Sequence, residues 1–487
     1  MATNNTKQAA WIAIGSLFSF GFGMVSSMVL SRYFDKSDYG TYRQVMYVYH
    51  TLLTVFTFGL PRAYSFFLPR VSLGKTRSLI NKISKIFVVL GLLFSITLFV
   101  FSGLIADILN NEDLKLALRV FSVVPTLLLP TMGLEGILAT YQKTHYVAMY
   151  TIATRVLMLI SVIVPVVFLN GGYIEAIIGF VCSSFLSLLL ASYLKYLPVK
   201  NEGNENCQIS LKQIFQFSIP LLAASMWGMV IDSADQFFVS RYFGNEVFAE
   251  FSNGNMNMPF IGMIVGATTT VLSPIFSRLS HERLNPQTEI FPVWKSVFEK
   301  TAMLIYPLVL YCFVFADFIM VLLYGEQYKV SGGYFQIRLI TNLFTIIAFA
   351  PLLINIGKVK FYSSVHMYGA ISLVLLEFLG VKIINSPYTI SIISALCSIG
   401  RIAIMLYAIA KWFSVSYWSL FPILLISKLI VIPTLFLYGI RYLIVELFEY
   451  NTMYVVVLSS LSFATLFVVY SNIVRINYIS ILKSLKK

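Results

Sequence analysis

The sequence has little charge for its length. Only 11% of its 487 residues are Asp, Glu, Lys or Arg, against about 25% in soluble globular domains, while 58% are hydrophobic. A net charge of +14 would suggest nucleic acid as a partner of a soluble chain, but this composition argues against a soluble chain. The composition instead indicates a polytopic membrane protein with no nucleic-acid partner.

Cysteines and long polar segments are also scarce. The chain has four cysteines. Cys182, Cys312 and Cys397 lie in apolar segments and Cys207 lies alone in a polar one, so neither a disulfide framework nor a metal cluster is predicted. No connection between apolar segments exceeds about two dozen residues, which leaves no room for a soluble catalytic domain. We therefore expect a protein that is not an enzyme and has no bound cofactor.

Fourteen apolar stretches are long enough to cross a membrane as helices, since a crossing takes roughly 20 residues. They lie at about 9–31, 39–69, 83–106, 115–142, 145–170, 173–197, 214–242, 246–278, 294–323, 333–357, 362–380, 388–411, 419–441 and 450–474. The predicted fold is all-α. It consists of a six-helix lobe over 1–200, a second six-helix lobe over 201–413, and a final helix pair with a basic tail over 414–487.

The distribution of the basic residues predicts the orientation. An even number of helices places both termini on one side, and the Lys and Arg excess marks that side as the cytoplasm. The basic loop between predicted helices 2 and 3 is the clearest cytoplasmic anchor and contains Arg70, Lys75, Arg77, Lys82 and Lys85. The acidic turn that follows helix 3 marks the opposite side, with Asp107, Glu112 and Asp113.

A repeated tetrapeptide indicates an internal duplication. Ser31-Arg32-Tyr33-Phe34 recurs as Ser240-Arg241-Tyr242-Phe243, and each copy closes an apolar segment. The copies are six predicted helices apart, so the two halves would share an orientation as parallel repeats.

Ten charged residues inside the predicted helices are candidates for intramembrane charges. They are Arg43, Arg62, Glu135, Arg155, Asp232, Asp235, Asp317, Glu377, Arg401 and Lys428. Each costs roughly 2.5–3.5 kcal/mol on insertion scales, so such a residue is either neutralised by a neighbour or faces a cavity. The first six helices carry a net positive charge and the next six a net negative one, which indicates two lobes with different roles.

The positive lobe suits an anionic cargo, because guanidinium groups bind phosphate oxygens bidentately. Arg62, Arg155 and Arg43 are therefore candidate substrate-binding residues. Asn253 and Asn257 lie one helical turn apart, and amides are suited to hydrogen-bonding sugar hydroxyls. These two residues complete the predicted substrate-binding set.

The acids of the second lobe are candidates for ion coupling. Asp232 and Asp235 are three residues apart and share one helical face. Glu377 would join them if predicted helices 7 and 11 are neighbours. The three carboxylates could form a proton or Na⁺ site, or they could pair with Arg401 or another cation. His50, one turn from Tyr47, is a weaker candidate for a proton relay.

The segment Val29-Leu30-Ser31-Arg32-Tyr33-Phe34 with Asp38-Tyr39-Gly40-Thr41-Tyr42, followed by Gly59-Leu60-Pro61, resembles the start of the oligosaccharide flippases. These belong to the multidrug/oligosaccharidyl-lipid/polysaccharide (MOP) exporter superfamily and serve O-antigen, lipopolysaccharide and capsule assembly. The resemblance implies that the chain moves undecaprenyl-pyrophosphate-linked oligosaccharide across the bacterial inner membrane by ion-coupled alternating access. It also implies polysaccharide polymerase and chain-length proteins as partners.

Two other functions remain open. A drug or cation antiporter of the same superfamily would prefer an acidic, aromatic cavity to a basic one. A membrane glycosyltransferase or polysaccharide polymerase would use acids such as Asp35 and Asp38 in the first external loop, although such enzymes usually have a large external loop that this sequence lacks.

Overall fold

The computed structural model describes residues 2–203, 205–258, 260–266, 268, 272, 276, 285–347, 349–446, 451–474 and 478. Regular structure in these ranges is entirely helical, which confirms the predicted all-α class. The chain divides into two compact units, residues 1–249 and 250–487. The lobe boundaries at 200 and 413, the parallel relation of the halves and the cytoplasmic termini stay predictions.

The first unit contains eleven helices within the described ranges. They are α1 (Ala2–Tyr33), α2 (Lys36–Phe56), α3 (Pro61–Phe67), α4 (Leu73–Val100), α5 (Ser102–Ile108), α6 (Asp113–Phe121), α7 (Val124–Leu128), α8 (Leu134–Thr140), α9 (Thr144–Phe168), α10 (Tyr173–Tyr196) and α11 (Leu211–Gly254), the last of which extends into the second unit. Both copies of the repeated tetrapeptide fall in this unit, and Ser31 and Ser240 are fully buried.

Small residues determine how closely these helices pack. A Cβ on Gly179 of α10 would lie 1.9 Å from the carbonyl oxygen of Ser161 on α9, so the two backbones are in direct contact. Ser183, Ser187 and Ala191 continue the buried face of α10. Helices in lipid associate through such small-residue faces because the hydrophobic effect gives no drive between them.

Two predicted helices are interrupted by residues with positive φ. Phe58 (φ +49°) and Gly59 (φ +67°) end the helical path after α2, and Pro61 then starts α3. Gly133 (φ +83°) precedes α8, where a Cβ would lie 2.3 Å from the Tyr64 ring. Only glycine fits that site, so α8 and α3 pack directly against each other.

The second unit contains eight further helices within the described ranges. They are α12 (Phe291–Val314), α13 (Ala316–Tyr324), α14 (Ser331–Thr345), α15 (Ala350–Asn355), α16 (Val359–Ile383), α17 (Pro387–Phe413), α18 (Ile423–Arg441) and α19 (Thr452–Ile473), with π-helical turns at Pro286–Ile290 and Tyr442–Glu446. Leu310 and Phe315 from the α12–α13 region pack with Leu437 of α18 and Phe463 of α19 in a buried apolar cluster.

Thirteen helical stretches of the described chain are long and apolar enough to cross a membrane, and each corresponds to a predicted span. The predicted span at 246–278 is described over 246–258, 260–266 and at 268, 272 and 276, and its other residues lie outside the described ranges. Its boundary with the preceding span is marked by Gly244, whose φ of 83° and ψ of 176° break the helical path within α11.

Candidate functional site

A polar cavity of about 410 Å³ lies within the first unit, between α1, α2, α9 and α11. Its walls combine one cation, one acid, hydroxyls, an imidazole, two phenols and three thioethers. The lining residues are Gly23, Ser26, Ser27, Tyr42, Arg43, Met46, Tyr47, His50, Thr51, Thr54, Met158, Met229, Asp232, Ser233 and Gln236. Such a concentration of polar groups inside a membrane-spanning unit indicates a binding site.

Helix α2 supplies the largest wall because it is amphipathic. Its cavity-lining residues recur every three to four positions from Tyr42 to Thr54 and so occupy one helical face. The adjoining face includes Tyr49, which lies two turns after Tyr42, stacks on Phe94 at 5.8 Å and meets Phe121 edge-on at 5.2 Å. Burial of this aromatic face orients α2, and the orientation turns Arg43 and His50 toward the cavity.

Helix α11 forms the facing wall with Met229, Asp232, Ser233 and Gln236, again at helical spacing. The hydroxyl of Tyr47 on α2 donates to the carbonyl oxygen of Ser233 at 3.3 Å. Gln236 donates to the carbonyl oxygen of Asp232 at 3.2 Å. The cavity therefore brings Arg43 and Asp232 together, one from the predicted substrate-binding set and one from the predicted ion-coupling set.

A buried network of amides and hydroxyls holds α2 and α11 in register at one end. Gln44 donates to Ser240 at 2.7 Å, and Asn111 donates to Gln44 at 2.5 Å and to Thr41 at 2.9 Å. Asn245 donates to the hydroxyl of Ser37 at 2.8 Å. Since Ser240 opens the second copy of the repeat, that copy serves here as a contact between helices.

Helix packing at the same end has no space for a side chain on Gly40. A Cβ there would lie 2.1 Å from the carbonyl oxygen of Asn245. The glycine of the Asp-Tyr-Gly sequence that carries the family resemblance is therefore explained by close approach of α2 to α11.

The other predicted arginines lie at different places in the first unit. Arg155 on α9 reaches Met158 with Nη1 3.8 Å from Sδ, and Met158 lines the cavity. Arg62 is exposed in the first turn of α3 and is not among the described lining residues. Asp235, three residues after Asp232, is buried at 6% exposure and likewise does not line the cavity.

The remaining predicted residues belong to the second unit. Asn253 is buried, and Asn257 is exposed and accepts a 2.5 Å hydrogen bond from Arg338 through Oδ1. Glu377 on α16 is fully buried. Its predicted convergence with Asp232 and Asp235 stays a prediction.

Two intramembrane charges of the second unit have defined structural contacts. Arg441 binds both carboxylate oxygens of Asp317, at 2.8 and 2.9 Å, and donates to the carbonyl oxygen of Val314. Of the two explanations for an intramembrane charge, neutralisation by a neighbour therefore applies to Asp317. Arg401 donates to Ser398 at 2.9 Å and packs over Gly369, where a Cβ would lie 2.2 Å from the arginine Cδ.

Sequence reasoning missed the small and neutral residues of the cavity. Gly23, Ser26 and Ser27 lie on α1, and an added Cβ at Gly23 would meet no atom within 4 Å. The signal was available in the sequence as small residues three to four positions apart in an otherwise apolar span. Within the described residues, no group of three or more His, Cys, Asp or Glu side chains is placed to hold a metal ion.

Residues 6–280 match the family described as Polysaccharide biosynthesis protein. No curated protein matches the sequence. Among solved structures, the lipid II flippase MurJ in an inward closed conformation has a TM-score of 0.70 at 16% identity, covering 95% of this chain and 98% of that chain.

Two transporters of the MOP superfamily also share the fold. An inward-facing multidrug resistance MATE family transporter has a TM-score of 0.66 at 14% identity, covering 84% of this chain and 99% of that chain. A MOP superfamily transporter from Pyrococcus furiosus, described as having a binding pocket of reversed polarity, has a TM-score of 0.57 at 15% identity, covering 84% and 96%. The predicted resemblance is confirmed: this multi-pass membrane protein belongs to the polysaccharide biosynthesis protein family and has the MOP-superfamily fold.

Proposed function

We propose that this chain is a flippase for undecaprenyl-pyrophosphate-linked oligosaccharide. It moves this lipid from the cytoplasmic to the periplasmic leaflet of the bacterial inner membrane, with its own termini in the cytoplasm, and serves O-antigen, lipopolysaccharide or capsule synthesis. The observation that carries the proposal is the polar cavity of the first unit with Arg43 in its wall. Family membership supports the cargo class, and the fold shared with a lipid II flippase is consistent with it.

The chemistry of the cavity matches the two parts of such a headgroup. The Arg43 guanidinium provides planar, paired donors for pyrophosphate oxygens. Hydroxyls of Ser26, Ser27 and Thr51 can exchange hydrogen bonds with a sugar, and the Tyr47 ring offers it a flat face. At about 410 Å³ the cavity is within the roughly 300–1,000 Å³ of small-molecule sites, which suits the pyrophosphate and the adjoining sugar.

The roles of the other predicted residues are part of the same proposal. Arg155 and Arg62 attract the pyrophosphate, and Asn253 and Asn257 contact the glycan in the second unit. Asp232, Asp235 and Glu377 couple transport to a proton or Na⁺ gradient. Asp232 has the best structural support among the three acids, because it shares the cavity with Arg43. The cargo is moved without covalent change, by alternating access.

The test is transport of labelled lipid-linked oligosaccharide in proteoliposomes with an imposed proton or Na⁺ gradient. Arg43→Ala is expected to lower the initial rate roughly 10- to 100-fold, since a charge-assisted hydrogen bond is worth about 1.5–3 kcal/mol. Arg43→Lys should retain an intermediate rate, because it keeps the positive charge but loses the paired donors of the guanidinium. A gradient that accelerates wild-type transport supports ion coupling.

The matched control is Arg119→Ala. Arg119 is an exposed arginine of the same unit that bonds Ser102 at 3.2 Å and lies over Phe99, and it is not a lining residue. Its rate should remain within about twofold of wild type. Equal rates for Arg43→Ala and wild type would rule out the phosphate role of Arg43.

The second candidate is a drug or cation antiporter, and Asp232 with Tyr42, Tyr47 and three methionines in one cavity is the observation that favours it. Competition separates the candidates: organic cations should inhibit an antiporter, whereas pyrophosphate-linked lipids should inhibit a flippase. Chemical turnover of a lipid-linked sugar donor by the purified protein, without a gradient, would contradict both and support the glycosyltransferase or polymerase alternative.

A further inference from the structure

A second pocket of about 480 Å³ lies in the first unit beside the start of α4, and it shares no lining residue with the polar cavity. Arg70 and Lys75 contribute its positive charge, and Gln208 and Gln213 contribute amides. The described lining residues include no acid. A concave surface with this composition favours an anion.

The loop wall of this pocket is fixed to α4 by hydrogen bonds. Lys82 of α4 donates to the carbonyl oxygens of Cys207 at 3.1 Å and Ile209 at 2.7 Å. The Cys207 amide donates to the hydroxyl of Ser78 at 3.2 Å, and Cys207 itself is buried. The segment that carries Gln208 is therefore held in place, which gives this wall of the pocket a defined shape.

The wall that contains Arg70 and Ser72 also has defined contacts. The Arg70 guanidinium lies 3.5 Å from the centre of the Phe66 ring, which stacks on Phe217 at 4.0 Å. Ser72 caps α4 with an extended backbone and no side-chain capping bond, so the positive end of a 28-residue helix dipole adjoins the pocket. Glu205 also contacts this turn, since its backbone amide donates to the carbonyl oxygen of Gly74 at 2.9 Å and a carboxylate oxygen lies 3.0 Å from the place of a Cβ on Gly74.

We propose that this pocket binds a phosphate group that is not part of the transported cargo. Arg70 holds the phosphate oxygens through its guanidinium, Lys75 supplies a second charge, and the amides of Gln208 and Gln213 complete the donor set. The phosphate is either the headgroup of an anionic phospholipid or free inorganic phosphate. The inference is independent of the flippase proposal, because it concerns binding alone.

The basic loop that contains Arg70 and Lys75 also provides a matched control. Arg77 and Lys85 are exposed residues of the same segment and do not line the pocket. A positive-inside signal would use all four residues equally. A phosphate site in the pocket would require only Arg70 and Lys75.

The experiment measures binding to the purified full-length protein. Native mass spectrometry after extraction from nanodiscs of phosphatidylcholine with phosphatidylglycerol counts retained phosphatidylglycerol, and calorimetry in detergent measures inorganic phosphate. Arg70→Gln with Lys75→Gln is expected to weaken binding of one probe about tenfold or more, whereas Arg77→Gln with Lys85→Gln should change it less than about twofold. Gln213→Trp, which fills the pocket without changing its charge, should weaken the same probe.

The outcomes separate the sources of the phosphate and the alternatives. A selective loss of phosphatidylglycerol identifies a lipid headgroup, and a selective loss of inorganic phosphate identifies a free anion. Equal losses in the two double variants, or no binding of either probe by the wild-type protein, would overturn the proposal. If the double variants do not fold, the proposal is tested by Gln213→Trp: weaker binding of the probe supports it, and unchanged binding contradicts it.

Discussion

The two units of this protein place intramembrane charges in different surroundings. In the first unit, Arg43 and Asp232 line a polar cavity. In the second unit, Arg441 and Asp317 bind each other through two parallel hydrogen bonds, with side chains only 31% and 25% exposed. Charges in the wall of a polar cavity lie where a ligand can contact them, whereas the Arg441–Asp317 pair joins two helices of the second unit.

We therefore expect substitutions in the two units to have different effects on transport and on stability. Substitutions at the cavity of the first unit should affect transport more than folding. Substitutions at the Arg441–Asp317 pair should affect folding first, because the remaining partner would be left as an uncompensated charge in a largely apolar unit. The predictions below test that separation, beginning with the largest expected effect on stability.

Asp317→Ala is expected to destabilise the protein by roughly 2–4 kcal/mol, somewhat below the loss for breaking a fully buried pair, because both side chains keep partial exposure. Thermal unfolding in detergent should show an apparent Tm lower by about 5–10 °C. The matched control is Glu326→Ala, which removes an exposed acid shortly after the same helix and should shift the Tm by less than about 2 °C.

A double-mutant cycle sharpens this prediction. Replacing Arg441 by Met together with Asp317→Ala removes both charges and should recover part of the lost stability. Additive losses would show that the pair is not the source of the stability, and the contrast between the two units would then fail.

The polar network of the first unit gives the next largest effect. Gln44→Leu would leave Ser240 and Asn111 without their bonds to Gln44, which we expect to cost about 1–3 kcal/mol. Thermal unfolding measures this as an apparent Tm lower by about 3–8 °C. Gln208→Leu, at an exposed glutamine of the same unit, should leave the Tm unchanged; a similar decrease there would indicate a general effect of adding leucine.

The overall class and thirteen of the spans were predictable because they depend on local properties. An apolar stretch of about 20 residues must form a helix in lipid whatever surrounds it. The break at Gly244 falls between the predicted ends at 242 and 246 for the same reason, since glycine is the residue that tolerates its φ of 83°.

The site was only partly predictable because its members depend on helix rotation and pairing. Arg43 and Asp232 were identified from the cost of their charge, but Arg62 has the same cost and is not among the described residues that line the cavity. Gly23 and Ser26 carry no charge, and the spacing of these small residues is a weaker signal than an intramembrane charge. Their role follows from the position of α1 against α2 and α9, which the order of residues along the chain does not specify.

Lys195 is a charged residue whose burial could not be predicted from the sequence. It lies two residues before the end of the predicted span at 173–197, yet only 4% of it is exposed. Its ammonium donates to Ser84 at 3.0 Å and to the carbonyl oxygen of Pro130 at 2.9 Å. Its burial comes from contacts with α4 and the turn after α7, which lie more than 60 residues away in sequence.

The smallest effect on stability, and a large one on transport, is expected for Gly23→Leu. Gly23 lines the cavity and a Cβ there would have no atom within 4 Å, and leucine favours the helix over glycine by up to about 1 kcal/mol. The Tm should therefore stay constant or rise slightly. Transport in proteoliposomes should fall about tenfold, because accommodating the cargo against the new side chain costs of order 1–3 kcal/mol.

Gly21→Leu is the matched control for this change. Gly21 also has open space around it but does not line the cavity, and it is two residues from Gly23, about 200° around α1. It should gain the same helix stability with a normal transport rate. If both variants transported equally well, the cavity would not be the path of the cargo; if both lost transport equally, the effect would belong to α1 as a whole. A loss confined to Gly23→Leu, with the Tm preserved, would place function in the cavity of the first unit and separate it from the charge pairing that stabilises the second.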